Sequence, residues 1–199
     1  MQIHLPNSAF LGNIDPFLDG FDPTHKDRLE ITANEKWIFV HPVVLCMVAA
    51  LGLQVDPKKI RCEKIIAKSG HYLERVGLFK FLKIKSGISI YQHEPAGRFI
   101  PLTKIGRSEQ LTEFITEMIP LLHLPPNQAE PIRYIVSELV RNVLEHARAD
   151  HGAIVSAQYH KKTNTIRIGI VDTGVGIRAT IRQSYATKND LEAIKLALT

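Results

Sequence analysis

Two stretches decide how this chain is interpreted: Ser137-Glu-Leu-Val-Arg-Asn-Val-Leu-Glu-His146 and Asp172-Thr-Gly-Val-Gly-Ile177. The first lies in a run, residues 128–147, whose apolar residues recur alternately three and one positions apart. That spacing predicts an amphipathic helix with one broad buried stripe. The stripe comprises Ile132, Ile135, Val136, Leu139, Val140, Val143, Leu144 and Ala147. Glu138, Asn142 and Glu145 fall on an arc beside it, where polar groups can face a cleft.

The second stretch follows a predicted β-hairpin. The segments 153–160 and 165–172 read as strands, the second with good alternation, and the polar linker 161–164 suits a tight connection. Asp172 then lies at the end of a strand, where the chain turns. We expect Gly174 and Gly176 to allow positive φ angles and a close approach of a ligand to the main chain. A carboxylate in such a turn can accept a hydrogen bond from an exocyclic amine, which favours recognition of adenine.

Together these motifs resemble the N box and G1 box of the GHKL ATP-binding superfamily, which includes gyrase B, Hsp90, histidine kinases, MutL and the anti-sigma-factor serine kinases. The resemblance covers roughly residues 107–199. It implies that Glu138 orients or deprotonates the attacking group, that Asn142 ligates Mg²⁺, and that Asp172 binds adenine. It further implies that Gly174, Gly176 and Ile177 shape the adenine loop, and that His146 lies near the phosphates. The implied cofactors are ATP and Mg²⁺, since an amide oxygen suits an ion that also binds phosphate oxygens.

Two functions follow from the resemblance. One is an anti-sigma-like serine or histidine kinase or an ATPase in bacterial regulatory signalling, with Glu138 as the base. The other is a non-catalytic regulator, in which ATP sets the conformation seen by a protein or nucleic-acid partner. The sequence shows no second glycine-rich box and lid of the kind the superfamily uses to wrap the triphosphate. We therefore expect these 199 residues to be inactive alone, as a fragment or as a form lacking the lid.

The first half of the chain predicts a separate small α/β unit. Residues 1–27, rich in Pro, Asp, Asn and Gly, are expected to form an irregular arm. Predicted elements follow in alternation: a strand at 37–40, a helix at 43–53, a strand at 60–66 and a helix at 71–81. This order loosely resembles a STAS domain, which we assign to residues 28–106, followed by the ATP-binding domain at 107–199. No hydroxyl residue opens the helix after His41, so a phosphorylation switch is not expected there, and His41 is interpreted as structural.

Composition and charge narrow the class of protein. With 45% hydrophobic and 23% charged residues, the chain is typical of a globular protein, and we expect a cytoplasmic location without a membrane span. Its two cysteines, Cys46 and Cys62, predict buried thiols rather than a disulfide framework. Residues 58–107 hold twelve Lys or Arg against three Asp or Glu, a net charge of +9 in a chain of net +5. This segment is interpreted as a solvated basic face, with nucleic acid, an acidic protein or an anionic nucleotide as the alternative partner.

Overall fold

The computed structural model describes residues 1–6, 14, 24, 26–36, 38–89 and 97–198. Within them the chain is α+β, with strands in two small sheets. The strands are β1 (Gln2–Leu5), β2 (Leu29–Ala33), β3 (Ile60–Cys62), β4 (Phe99–Ile105), β5 (Ala153–His160) and β6 (Thr165–Val171). The helices are α1 (Pro42–Gly52), α2 (His71–Arg75), α3 (Leu78–Leu82), α4 (Ser108–Leu121), α5 (Pro126–Asn142), α6 (Gly176–Ile181) and α7 (Asp190–Ala197). A π-helical turn, Val143–Ala147, directly continues α5. No helix in these ranges is long and apolar enough to span a bilayer.

The first sheet is parallel, in the order β1-β2-β3. Its inner face carries Ile3, Leu5, Leu29 and Ile31, which are all buried. The prediction of an irregular arm is therefore wrong for residues 2–5, because this short stretch becomes a strand by pairing with β2. Most of residues 7–25, on which the rest of that prediction falls, lie outside the described residues.

Several predicted elements of the first half have different bounds. Trp37 lies outside the described residues, and Ile38–Val40 does not form a continuous strand. The strand predicted at 60–66 ends at Cys62. The helix predicted at 71–81 is divided into α2 and α3, because Gly77 takes a left-handed conformation with φ of 78° and interrupts the helical hydrogen bonds.

The second sheet is antiparallel, in the order β4-β5-β6, and contains the predicted hairpin. β4 lies in the segment assigned from sequence to the first domain, yet it pairs with β5 along residues 153–158. A boundary at 106/107 would therefore separate an edge strand from its own sheet.

Helices cover both faces of the second sheet. α4 and α5 share a core with the alternate residues Ala153, Val155 and Ala157 of β5. Ile154, which points the other way, belongs to the core that contains α1. This explains why β5 is buried continuously from Ala153 to Ala157 rather than alternating between buried and exposed residues.

α1 is the central helix of the molecule. His41 caps its start, because the Nδ1 atom accepts a hydrogen bond from Val43 N at 3.2 Å, and Pro42 occupies the first turn. Nearly all of its residues are buried, as expected for a helix enclosed on all sides. It packs against β5 and β6 and shares its core with the first sheet. The two predicted units are thus joined through one helix.

Candidate functional site

Asp172 follows the last residue of β6 and is exposed. Its Oδ1 atom accepts a hydrogen bond from Gly174 N at 2.7 Å, which closes a tight turn after the strand. No partner for the second carboxylate oxygen is found among the described residues. Asp172 therefore combines a fixed orientation with one free acceptor, which a ligand amine could use.

Gly174 joins this turn to the end of the long helix. A Cβ atom at Gly174 would lie 2.1 Å from the carbonyl oxygen of Ala147, which leaves no room for any side chain. The next residue, Val175, donates its N–H to the same carbonyl at 2.8 Å. The sequence predicted a positive φ at Gly174, but the structure shows none there. Glycine is required at this position for close packing. Gly176 does take a positive φ, of 79°, as predicted.

α6 strengthens the same junction. Thr180 Oγ1 donates to His146 O at 3.4 Å, and the Arg148 guanidinium donates to Gln183 Oε1 at 3.2 Å. The segment from Asp172 to Gln183 therefore lies directly against the π-helical turn and Arg148, which follows it. Sequence inspection did not single out Thr180, Arg148 or Gln183, because nothing local marks them as contacts.

Glu138 and Asn142 lie on α5, one turn apart and both partly or fully exposed. Glu138 Oε1 accepts a hydrogen bond from the Arg141 guanidinium at 3.4 Å. Asn142 is the last residue of α5, and its amide makes no hydrogen bond with the described residues. At 1.5 Å per residue, Asn142 lies about 6 Å and Glu138 about 12 Å along the helix from His146. Asn142 is thus the nearer of the two to the Asp172 loop.

The buried stripe of α5 is narrower than predicted. Val136, Val140 and Val143 are buried, but Ile135 is 56% exposed and Leu139 is 48% exposed. The reason is that α4 and β5 contact only one side of the helix. Ile177, in the first turn of α6, is also 52% exposed, so apolar surface is available on both sides of the junction.

His146 is an exposed residue. Its side chain is 59% exposed, and its Nε2 atom lies 3.9 Å from Glu145 Oε2. Its backbone carbonyl, not its ring, holds α6. The ring is therefore free to reach a ligand at this junction.

A cavity of about 530 Å³ lies beside the Asp172 turn, on the side of α1. Asp172, Thr173 and Gly174 form one wall, and Met47 of α1 and Gln54, just after the end of α1, form another. Neither Glu138 nor Asn142 lines it. The two motifs therefore do not share this cavity. α1 contributes lining residues that no local motif could reveal, because they lie more than a hundred positions away from Asp172 in the sequence.

A second polar cluster lies where α1 meets β5 and β6. The Arg167 guanidinium stacks over the Phe39 ring at 5.3 Å, and the Phe39 and His160 rings are 6.0 Å apart. Burial and the nearby Arg167 charge lower the pKa of His41 and of His160. The cluster therefore favours neutral imidazoles at the junction of the two sheets.

Two further contacts connect the same surfaces. Tyr72 donates its hydroxyl hydrogen to Gln158 Oε1 at 2.9 Å, and burial raises the pKa of this tyrosine. The Cys46 thiol donates to Gly169 O at 3.6 Å, and burial raises the pKa of that thiol as well. Both cysteines are free. Cys46 is an inert thiol buried in the core, as predicted, whereas Cys62 is only partly buried.

The metal-binding potential of the junction is limited. The described ranges contain no group of three or more His, Cys, Asp or Glu side chains able to hold a metal ion. The free amide of Asn142 could supply one oxygen ligand, which fits an ion held mainly by phosphate oxygens rather than by a protein cage.

No model of a protein family, no curated protein and no solved structure matches this chain.

Proposed function

We propose that the chain binds ATP with Mg²⁺ at the junction of α5 and the Asp172 loop, as a protein of the GHKL type. The observation that carries the proposal is the packing of Gly174 and Val175 against Ala147 O. Through this contact an acidic turn that can read adenine is held rigidly beside a helix that carries Glu138 and Asn142. The two motifs occur in the same order along the chain, and on the same kinds of element, as in the GHKL superfamily.

Different polar groups at the junction suit the adenine base and the Mg²⁺-bound phosphates of ATP. The unpaired oxygen of Asp172 can accept a hydrogen bond from the exocyclic amine of adenine, while the exposed Ile177 offers apolar contact to the base. The Asn142 amide oxygen can ligate Mg²⁺, and Mg²⁺ when bound would neutralise phosphate charge. His146 is exposed and within one helical turn of Asn142, which suits a phosphate contact.

Binding is tested by calorimetry with Mg·ATP, with Mg·GTP as a base-specificity control. We expect Asp172→Asn to weaken ATP binding by about tenfold to a hundredfold, because it replaces an acceptor with a donor. Asp150→Asn is the matched control, since Asp150 is an exposed aspartate in the turn before β5. Equal affinity for ATP in the Asp172→Asn variant and the unaltered protein would remove the proposal.

The structure supplies a specific reason to keep the non-catalytic alternative. Glu138, the candidate base, is engaged by Arg141 on its own helix and does not line the cavity beside Asp172. Under the kinase or ATPase hypothesis, Glu138→Ala abolishes phosphate release or transfer but leaves ATP binding intact. Under the regulator hypothesis, there is no turnover to lose. Phosphate release by the unaltered protein and by Glu138→Ala distinguishes the two.

A further inference from the structure

In the described part of the chain, the first sheet ends in a short strand with a defined hydrogen-bonding direction. β3 is an edge strand in the order β1-β2-β3. The residue that follows it, Glu63, donates its N–H to Ile31 O of β2 at 2.8 Å. Because successive residues of a strand direct their N–H and C=O groups to opposite sides, Cys62 directs its own away from β2. The edge thus presents backbone groups that another strand can bind.

A cleft of about 580 Å³ lies along this edge. Lys58, Arg61 and Cys62 form one wall, and Lys83, Ile84 and Lys85 form the other. The second wall is held in place at the end of α3, where Lys83 takes a left-handed conformation with φ of 58°. Ile84 N donates to Phe79 O at 3.0 Å, which anchors the segment to the core.

The cleft is strongly basic. Lys58, Arg61, Lys83 and Lys85 come from two segments more than twenty residues apart, and none of them takes part in the ion pairs found among the described residues. The nearest acids along the chain do not neutralise them. Asp56 uses Oδ1 to cap the preceding turn by accepting from Lys58 N at 2.9 Å, and Glu63 forms no ion pair in that set. Four cations without an ion pair in the described ranges, against one neighbouring carboxylate at Glu63, favour an anionic occupant.

We propose that an acidic, extended segment of a partner protein binds in this cleft by adding a strand to the outer edge of β3. Its backbone bonds the outward groups of Cys62, and its carboxylates pair with the lysines and arginine on both walls. The side chains that line the cleft include no aromatic ring on which a base could stack, which favours a peptide over a single-stranded nucleic acid. This site is separate from the Asp172 loop, which lines a different cavity.

The test uses the full chain and a fluorescent peptide of alternating Glu and Thr, with binding followed by anisotropy. We expect binding that weakens as salt is raised. The double variant Lys83→Glu and Lys85→Glu should weaken it by about tenfold or more. The matched control is Lys161→Glu with Lys162→Glu, an exposed basic pair in the β5–β6 connection. Asp172→Asn should leave peptide binding unchanged, so this proposal and the nucleotide proposal fail separately.

Strand addition is distinguished from simple charge attraction by a peptide N-methylated at alternate residues, which keeps its charges but loses the hydrogen bonds of one edge. We expect that peptide to lose most of its binding. Equal binding of the methylated peptide, or equal loss in the control variant, would overturn the proposal. Displacement of the peptide by tripolyphosphate or single-stranded RNA at far lower concentration would instead identify an anion or nucleic-acid site.

Discussion

At the scale of single residues, the candidate site depends on the missing side chain of one residue and on the carboxylate of another. Gly174 has no Cβ, and this allows the Asp172 turn to approach the carbonyl of Ala147. Asp172 in turn uses one oxygen to hold Gly174 N. The acidic residue and the glycine of the motif are therefore coupled, so that a change in either one alters the position of the other.

We predict that Gly174→Ala displaces the loop. The added methyl would lie 2.1 Å from Ala147 O, and a backbone atom cannot move aside as a flexible side chain can. We expect a loss of unfolding free energy of about 1–3 kcal/mol, measured by urea denaturation, together with weaker ATP binding in calorimetry. Gly176→Ala is the comparison: its Cβ would meet nothing within 4 Å, so only the left-handed strain of about 1 kcal/mol is expected. Equal stability of Gly174→Ala and the unaltered chain would contradict this account.

Cys62 allows a second prediction at this scale. Burial and the neighbouring Glu63 carboxylate raise the pKa of the Cys62 thiol to about 11. Since the thiolate is the nucleophile, alkylation of Cys62 by iodoacetamide should be slow at pH 8 and accelerate as the pH approaches 11. Cys46, which is fully buried, should react only after unfolding. Mass spectrometry of the labelled protein measures both, and rapid labelling of Cys62 at pH 7 would contradict the prediction.

At the scale of elements, α1 decides how the two sheets are assembled. It is apolar on all sides because it has the second sheet on one side and the core of the first sheet on the other. The contact with the second sheet is tight at Gly169 of β6, where a Cβ atom would lie 2.6 Å from the backbone of Pro42 and Val43. The start of α1 therefore rests directly on the strand that leads to Asp172.

We predict that Gly169→Ala forces α1 away from β6. Neither backbone can yield locally, so the expected loss of unfolding free energy is about 1–3 kcal/mol or more, measured by thermal or urea denaturation. Gly106→Ala is the matched control: its Cβ would meet only Gln110 Oε1, at 3.8 Å, and a change within about 0.5 kcal/mol is expected. If the two variants were equally stable, the helix would not rest on Gly169 as described.

At the scale of the whole molecule, residues from the two halves of the chain meet at a polar junction. His41, His160 and Arg167 meet there, and the His160 Nε2 and one Arg167 nitrogen are buried without a partner among the described residues. A proton added to either imidazole would place a second positive charge beside Arg167 in a partly buried position. The junction is thus sensitive to acid.

We predict that the free energy of unfolding falls as the pH is lowered below about 6.5. The pKa values of His41 and His160 are lowered in the folded state by burial and by Arg167, while in the unfolded chain they return to 6.5. The unfolded chain therefore binds protons that the folded chain does not. The contribution of the two neutral imidazoles to the free energy of unfolding is complete above pH 6.5, and it is lost as the pH falls through their folded-state pKa values. Urea denaturation from pH 7.5 to 5 measures the slope of the free energy of unfolding against pH. His160→Gln should reduce it, whereas His71→Gln, at an exposed position, should not.

Local patterns predicted several elements correctly. The proline that begins α1, the periodicity of α5 and the alternation in β6 each depend on residues within a few positions of one another. The structure places these elements close to the predicted bounds. The same patterns could not show that Ile135 and Leu139 of α5 are exposed, because the width of the buried stripe depends on how many neighbours the helix has. They also could not show that residues 2–5 pair with β2, since four residues carry too little periodicity to define a strand.

The sequence by itself determined the helix that carries Glu138 and Asn142, the hairpin, and the acidic glycine turn that begins at Asp172, because propensity, periodicity and turn chemistry act over short distances along the chain. Only the tertiary structure decided that α1 lies between the sheets, that Gly174 meets Ala147, and that Lys58 and Lys83 line one cleft. These contacts join residues distant in sequence. They arise when the whole chain buries its apolar surface at once, which no short window of sequence records.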